Sequence, residues 1–273
     1  MATESDDLNL ALFCDFENVA LGVNDAKIPE FNIQLVMERL LLKGSIVVKK
    51  AYCDWARYKE FKPVMHNASF ELIEIPHTRQ SGKNSADIRM VVDALDLCYT
   101  KEHIDTFVII SGDSDFSPLV SKLRENDKLV IGVGVKNSTS DLLMHNCDEF
   151  IFYDDLDREE RSHTRRKKKN TTRKAPAREQ TPKKTGKEDP IDDAINLVLE
   201  TAEALYTEQG DRKQLWGSMI KQTLKRRHPG FNERFYGVRS FSDLLEEAES
   251  RGLLQLESDE RSGGYMIKSI KES

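Results

Sequence analysis

The sequence contains no run of about 18 apolar residues, so no segment of it reads as a membrane span. It holds only four cysteines in 273 residues, Cys14, Cys53, Cys98 and Cys147. No two of them form a CxxC pair, which argues against a zinc site. Three fall in or beside apolar segments, where a reduced, buried thiol is the expected role. The six histidines show no metal-ligand spacing, and no Ser/His/Asp or Cys/His arrangement can be assembled. A phosphate-binding loop is also missing. Gly82-Lys83 would need glycine at 77 and Ser or Thr at 84, where His77 and Asn84 stand, so ATP binding is excluded. Residues 1–7 are acidic and polar, without the basic and apolar regions of a secretory signal. With so little cysteine, this predicts a cytoplasmic protein.

Charge is present in quantity and is unevenly placed. The net charge is −6, yet residues 158–187 hold 13 Lys/Arg against 3 Glu, a local +10, which leaves −16 for the rest. An acidic body with one basic segment suits an arm that contacts nucleic acid, and equally a solvated, self-repelling linker. Residues 157–189 have almost no large apolar side chains and predict a disordered basic linker between two domains, 1–156 and 190–273.

Within the first domain, strand-like apolar runs alternate with helical spacing. Strands are expected at 8–14, 46–53, 70–75, 107–110, 129–133 and 149–153. Helices are expected at 31–43, 57–67, 86–99, 116–126 and 138–146. This order predicts an α/β fold with a doubly wound parallel sheet, whose sites form at the carboxyl ends of strands. The second domain shows helices from Pro190, from Trp216 to Arg227 and from Ser242 to Arg251, then two short strands around a Gly263-Gly264 turn. That pattern predicts a small winged-helix domain.

Acidic residues sit at the predicted strand ends. Asp15 closes the first strand, with Asn18 in the loop after it; Asp113 closes the fourth, followed by Asp115; Asp87 begins a helix. Converging carboxylates repel one another unless a cation lies between them, and oxygen-only ligands favour Mg²⁺ or Mn²⁺. If the first and fourth strands are neighbours, about 4.8 Å apart, Asp15 and Asp113 can share one ion. Such an ion activates water and neutralises phosphoryl charge, which suits phosphodiester hydrolysis. Simpler roles compete: a helix cap for Asp115 and Asp141, and first-turn complementarity to the helix dipole for Asp87. Asp93 lies about 120° around the helix from Asp87, so a supporting or structural role is expected. Asn18 is placed to hold a water or a substrate phosphate. Lys83 beside the Asp87 turn, and Arg165, Arg166, Lys167 and Lys168 in the basic run, are candidate nucleic-acid contacts, to RNA if the resemblances below hold.

The three motifs, Asp15-Phe16-Glu17-Asn18, Lys83 to Asp87 to Asp93, and Ser111-Gly112-Asp113-Ser114-Asp115-Phe116, resemble the NYN domain, a branch of the PIN-like nucleases, and its LabA-like group in particular. The likeness spans about residues 8–153. It implies a Mg²⁺- or Mn²⁺-dependent ribonuclease with Asp15, Asp87, Asp113 and Asp115 as metal-binding acids and Asn18 as the polar partner of the first. The last 84 residues resemble an OST-HTH (LOTUS) domain, on Leu215-Trp216, Pro229-Gly230-Phe231-Asn232, Tyr236-Gly237 and the run from Ser240 to Leu245. That implies RNA binding, or in some members protein binding. The predicted third helix there is too acidic for a DNA major groove, whereas Lys221, Lys225 and Arg226 make the second helix basic. Phe235 or Tyr236 could stack an unpaired base or pack in the core. The alternative to an enzyme is a non-catalytic RNA-associated adaptor.

Overall fold

The computed structural model describes residues 8–75, 84–172, 190–209, 214–228, 230–259 and 264–271; within 163–172 only the backbone is described. The chain divides into two compact units near residue 175.

The first unit begins with β1 (Leu8–Asp15), α1 (Phe16–Asp25), α2 (Ile33–Leu41), β2 (Gly44–Cys53), α3 (Lys62–Asn67) and β3 (Glu71–Glu74). It continues with α4 (Ser85–Thr100), β4 (Thr106–Ile110), α5 (Ser117–Glu125), β5 (Leu129–Gly134), α6 (Asp141–Asn146), β6 (Glu149–Phe152) and α7 (Tyr153–Thr172). The six strands form one parallel sheet in the order β3-β2-β1-β4-β5-β6. The order reverses direction at β1 and β4, and that is where a doubly wound sheet opens a crevice beyond its strand ends.

Both faces of the sheet are covered, which is why β1 and β4 are continuous apolar runs rather than alternating ones. Side chains of β1 alternate between two cores. Leu10, Leu12 and Cys14 pack with Val19, Val36, Leu40 and Leu156; Ala11 and Phe13 pack with Met90, Ala94, Val120 and Leu143. Cys14, Cys53 and Cys98 are buried and unpaired, as expected, and Cys147 is half-buried.

Three expectations change. Asn18, expected in a loop, lies in α1, with Asp15 as the N-cap and Phe16, Val19 and Val23 on the helix's buried face. The stretch from 157, read as disordered, continues α7 to Thr172. Tyr153 and Leu156 bury its first turn, Tyr153 Oη accepts the Asn32 N–H at 2.7 Å, and Arg39 pairs with Glu159 at 2.6 Å. Anchored there, a segment rich in Arg, Lys and Glu propagates as helix, helped by the Arg161–Asp157 pair four residues apart. Finally, α3 is shorter than expected, preceded by a single 3₁₀ turn at Lys59–Phe61, with Pro63 in the first turn where it does no harm.

The second unit comprises α8 (Pro190–Gln209), β7 (Leu215–Trp216), α9 (Gly217–Arg227), α10 (Phe241–Ser250), β8 (Leu254–Ser258) and β9 (Tyr265–Ile270). Its strands form an antiparallel sheet ordered β7-β9-β8. Ile195, Val198, Ile220, Leu224, Leu244 and Ile267 are among its fully buried residues. Ser240 caps α10, accepting from Asp243 N–H at 3.2 Å. Among the described residues no helix is long and apolar enough to cross a membrane.

Candidate active site

Asp15 is the last residue of β1 and Ile110 the last of β4, and the two strands are hydrogen-bonded neighbours. Adjacency of these two strand ends brings the first and third acidic motifs together. The turn out of β1 is held from below: Phe16 is fully buried against Trp55 and Phe61, each at 5.1 Å between ring centroids, and against Tyr58 at 5.6 Å. An aromatic anchor of that kind fixes where Asp15 and Asn18 point.

Asp15 is only 8% exposed. Its Oδ1 accepts the Asn18 N–H at 3.3 Å and its Oδ2 accepts the Ser111 hydroxyl at 3.0 Å. Ser111 Oγ in turn accepts the Asp113 N–H at 3.2 Å, so this fully buried serine links the first acid to the third. Asn18 closes the arrangement from the other side, its side-chain oxygen accepting the Gly112 N–H at 2.8 Å. Asn18 therefore lies in the first turn of α1, and its side-chain oxygen ties that helix to the loop after β4. The importance of Ser111 was not legible in the sequence, because it depends on β1 and β4 being neighbours.

Asp113 Oδ1 accepts the Asp115 N–H at 2.9 Å and so caps the 3₁₀ turn Ser114–Phe116. Asp115 does not cap α5, which has Phe116 at its N-cap and no side-chain cap. Asp87 lies in the first turn of α4. Asp87 and Asp115 line one cleft between α4 and α5. Asp141 is also not a cap; Ser140 holds that place, accepting from Leu142 N–H at 3.2 Å. Asp93 is structural: it accepts from Tyr52 Oη at 2.9 Å, Arg89 at 3.0 Å and Lys50 at 3.4 Å.

The acids sense one another. Burial, and then the charge of Asp87, push the Asp15 carboxyl up to about 7; the Asn18 N–H and Ser111 hydroxyl pull it down, and Asp113 adds to the rise. Asp87 is raised by burial and then by Asp113, Asp115 and Glu17. Glu17, a fifth acid that sequence reasoning left without a role, pairs with Arg57 at 3.1 Å. Among the described residues no three carboxylate, thiolate or imidazole groups close into a ready-made cage. The donor set nevertheless fits a hard divalent cation: all oxygen, supplied by separate elements, and mutually repelling in the absence of positive charge.

Gly112 is required by close approach. A Cβ there would lie 2.3 Å from the carbonyl oxygen of Ser138 and 3.0 Å from Thr139 Cα. Because those neighbours are backbone, Gly112→Ala is expected to cost about 1–3 kcal/mol and to displace the loop carrying Asp113. Urea unfolding of the variant beside wild type checks this; unchanged midpoints would contradict the packing described.

Lys221 is engaged by Glu233 at 2.9 Å, and Arg226 donates to Thr223 Oγ1 at 3.0 Å, while Lys225 is exposed. Lys83 and the side chains of Arg165, Arg166, Lys167 and Lys168 lie outside the described residues. Tyr236 packs on Phe231 at 5.4 Å, whereas Phe235 is 78% exposed.

One known sequence and one known structure resemble part of this chain. An uncharacterized protein of Methanocaldococcus jannaschii is 29% identical over 143 residues, covering 52% of this chain and 56% of the relative. The chain thus matches little more than half the length of that curated relative. The crystal structure of a protein of unknown function from Vibrio parahaemolyticus matches with a TM-score of 0.50 at 24% identity, over 56% of this chain and 97% of the other. At that identity the likeness concerns the fold alone. The NYN domain model matches residues 9–156, a span that contains Asp15, Asp87, Asp113 and Asp115, and the chain belongs to the NYN domain family.

Proposed function

We propose that the protein is a divalent-metal-dependent ribonuclease that hydrolyses RNA phosphodiesters with an activated water. The observation that carries this reading is the gathering of Asp15, Asp87, Asp113 and Asp115 at the crevice of a doubly wound sheet, where Asp15 is raised by burial and then by Asp87, and Asp87 by burial and then by Asp113 and Asp115. A purely structural role gives no reason to gather repelling acids there. NYN domains are typically nucleases of the PIN-like type, which supports the same class of chemistry.

Asp15, Asp87, Asp113 and Asp115 are the residues that would hold Mg²⁺ or Mn²⁺. When bound, the cation supplies a more acidic water and neutralises phosphoryl charge. Ser111 and Asn18 hold Asp15 and the Gly112 loop in register, so the acids need little rearrangement. The N-termini of α4 and α5 lie at this end of the sheet, where helix dipoles favour an approaching phosphate.

The C-terminal unit supports RNA holding. Three helices and a three-stranded antiparallel sheet fit a winged helix of the OST-HTH (LOTUS) kind. Asp243, Glu246, Glu247 and Glu249 make α10 acidic and unsuited to a DNA groove, whereas Lys225 and the exposed ring of Phe235 offer charge and a stacking surface to single-stranded RNA. With the basic segment, this unit is expected to supply most of the affinity. Deleting residues 158–273 should weaken RNA binding at low salt by about tenfold or more and flatten its salt dependence. Fluorescence anisotropy over a salt series measures both; equal slopes for the two proteins would remove the C-terminal half as the RNA arm. The cleavage assay that tests the enzyme reading closes the Discussion; RNA bound but never cut would favour the adaptor reading.

A further inference from the structure

The acids occupy one end of a longer groove. Between α4 and α5 lies a cleft of about 690 Å³, with Leu142 of α6 on its rim. Asp87 and Asp115 line it, so it is continuous with the candidate active site. On its α4 wall, Asn84, Ile88 and Val92 recur every four residues and share one face. Its α5 wall is made by the first turns of the helix, beginning with Ser117.

Two observations set this groove apart from ordinary surface. Ile88, Val92 and Leu142 are 63%, 56% and 59% exposed, a cluster of large aliphatic side chains left open to water. Beside them Ser117 is only 5% exposed, and among the described residues its hydroxyl has no hydrogen-bond partner. A buried hydroxyl without a partner is costly, and a ligand in the groove that offers a donor or acceptor removes that cost.

The ligand must present a flat or broad apolar face to the aliphatic side chains and a polar edge to Ser117 and Asn84. It must also connect to whatever binds among the acids. A nucleobase meets all three conditions. We propose that the groove is a base subsite, which receives the nucleobase next to the scissile phosphate of an RNA strand. Ile88, Val92 and Leu142 contact the base face and Ser117 reads its edge. The proposal rests on the ribonuclease reading only in naming the phosphate bound among the acids.

Free nucleosides test it independently of cleavage, because they carry no phosphodiester. The full chain, labelled at Ile, Leu and Val methyl groups, would be titrated with adenosine, guanosine, cytidine and uridine at millimolar concentrations. The expected result is a set of shifts confined to Ile88, Val91, Val92 and Leu142 methyls and differing between bases. Val92→Gln, at an exposed helical position that does not threaten folding, should weaken these shifts by about fivefold. Ser117→Ala removes a hydroxyl with no partner and should leave binding in place while levelling the preference among bases. Absent shifts at these methyls, or shifts spread evenly over the protein, would overturn the proposal. So would shifts that follow protein concentration alone, which would mean that a second copy of the chain covers the groove. Base-dependent shifts in a protein that cuts no RNA would keep the subsite and remove the nuclease.

Discussion

Asp113→Asn is expected to lower divalent-dependent RNA cleavage by at least about a thousandfold while leaving the fold and RNA affinity nearly unchanged. The expectation follows from the two jobs of this side chain. Its Oδ1 caps the turn Ser114–Phe116 by accepting the Asp115 N–H at 2.9 Å, and the amide oxygen of asparagine can do the same. Its negative charge, which raises both Asp15 and Asp87, cannot be replaced by an amide. Cleavage rates in Mn²⁺, read beside a melting curve and an RNA titration, separate the two jobs. Equal cleavage by variant and wild type would remove the proposed site.

Asp15→Asn should stabilise the metal-free first unit, and increasingly so as pH rises. The Asp15 carboxyl is raised from 3.8 to about 7 in the folded protein. A raised acid binds its proton more tightly when folded than when unfolded, so stability is greatest at low pH and falls as pH rises through the folded value. The loss is complete above about pH 8. Between pH 5 and pH 8 the advantage of the variant over wild type should grow by roughly 3 kcal/mol. For a unit of this size that is a rise of about 5–10 °C in melting temperature relative to wild type. Because a cation relieves the same repulsion, Mn²⁺ at pH 8 should raise the melting temperature of wild type and have little effect on the variant. Calorimetry at several pH values checks the sign. A variant whose advantage stays flat with pH would mean that Asp15 ionises normally, and one whose advantage shrinks would mean that the fold favours the carboxylate; either result contradicts the charge strain described.

Much of this arrangement was legible because burial on both sheet faces demands continuous apolar strands. The runs at 8–14, 107–110 and 129–133 are such strands, and the acids after the first two, Asp15 and Asp113, were conspicuous by contrast. Helix α1 was missed because Gly22 and Asn24 weaken its intrinsic preference; a Cβ at Gly22 would come within 2.3 Å of Ser138 Oγ, which would have to turn away. Strand β7, two residues long, has no period to detect. Composition misread α7, whose first turns are held by Tyr153, Leu156 and the Arg39–Glu159 pair rather than by an apolar stripe of its own. At the site, residue types revealed the carboxylates but not their supports. Ser111 and Asn18 take their roles from contacts 96 and 94 residues away in sequence. The pairing of Lys221, a candidate RNA contact, with Glu233 was not legible either, because Glu233 comes from another segment.

The measurement that bears most directly on the central claim is cleavage of a labelled single-stranded RNA by the wild-type chain, with single-stranded DNA of the same sequence as control. Reactions in Mn²⁺, Mg²⁺ and EDTA would run side by side with Asp113→Asn. The account predicts RNA cutting in Mn²⁺ or Mg²⁺, none in EDTA, and none by the variant. Cutting that survives EDTA, or RNA that is bound but left intact with either ion, would contradict it.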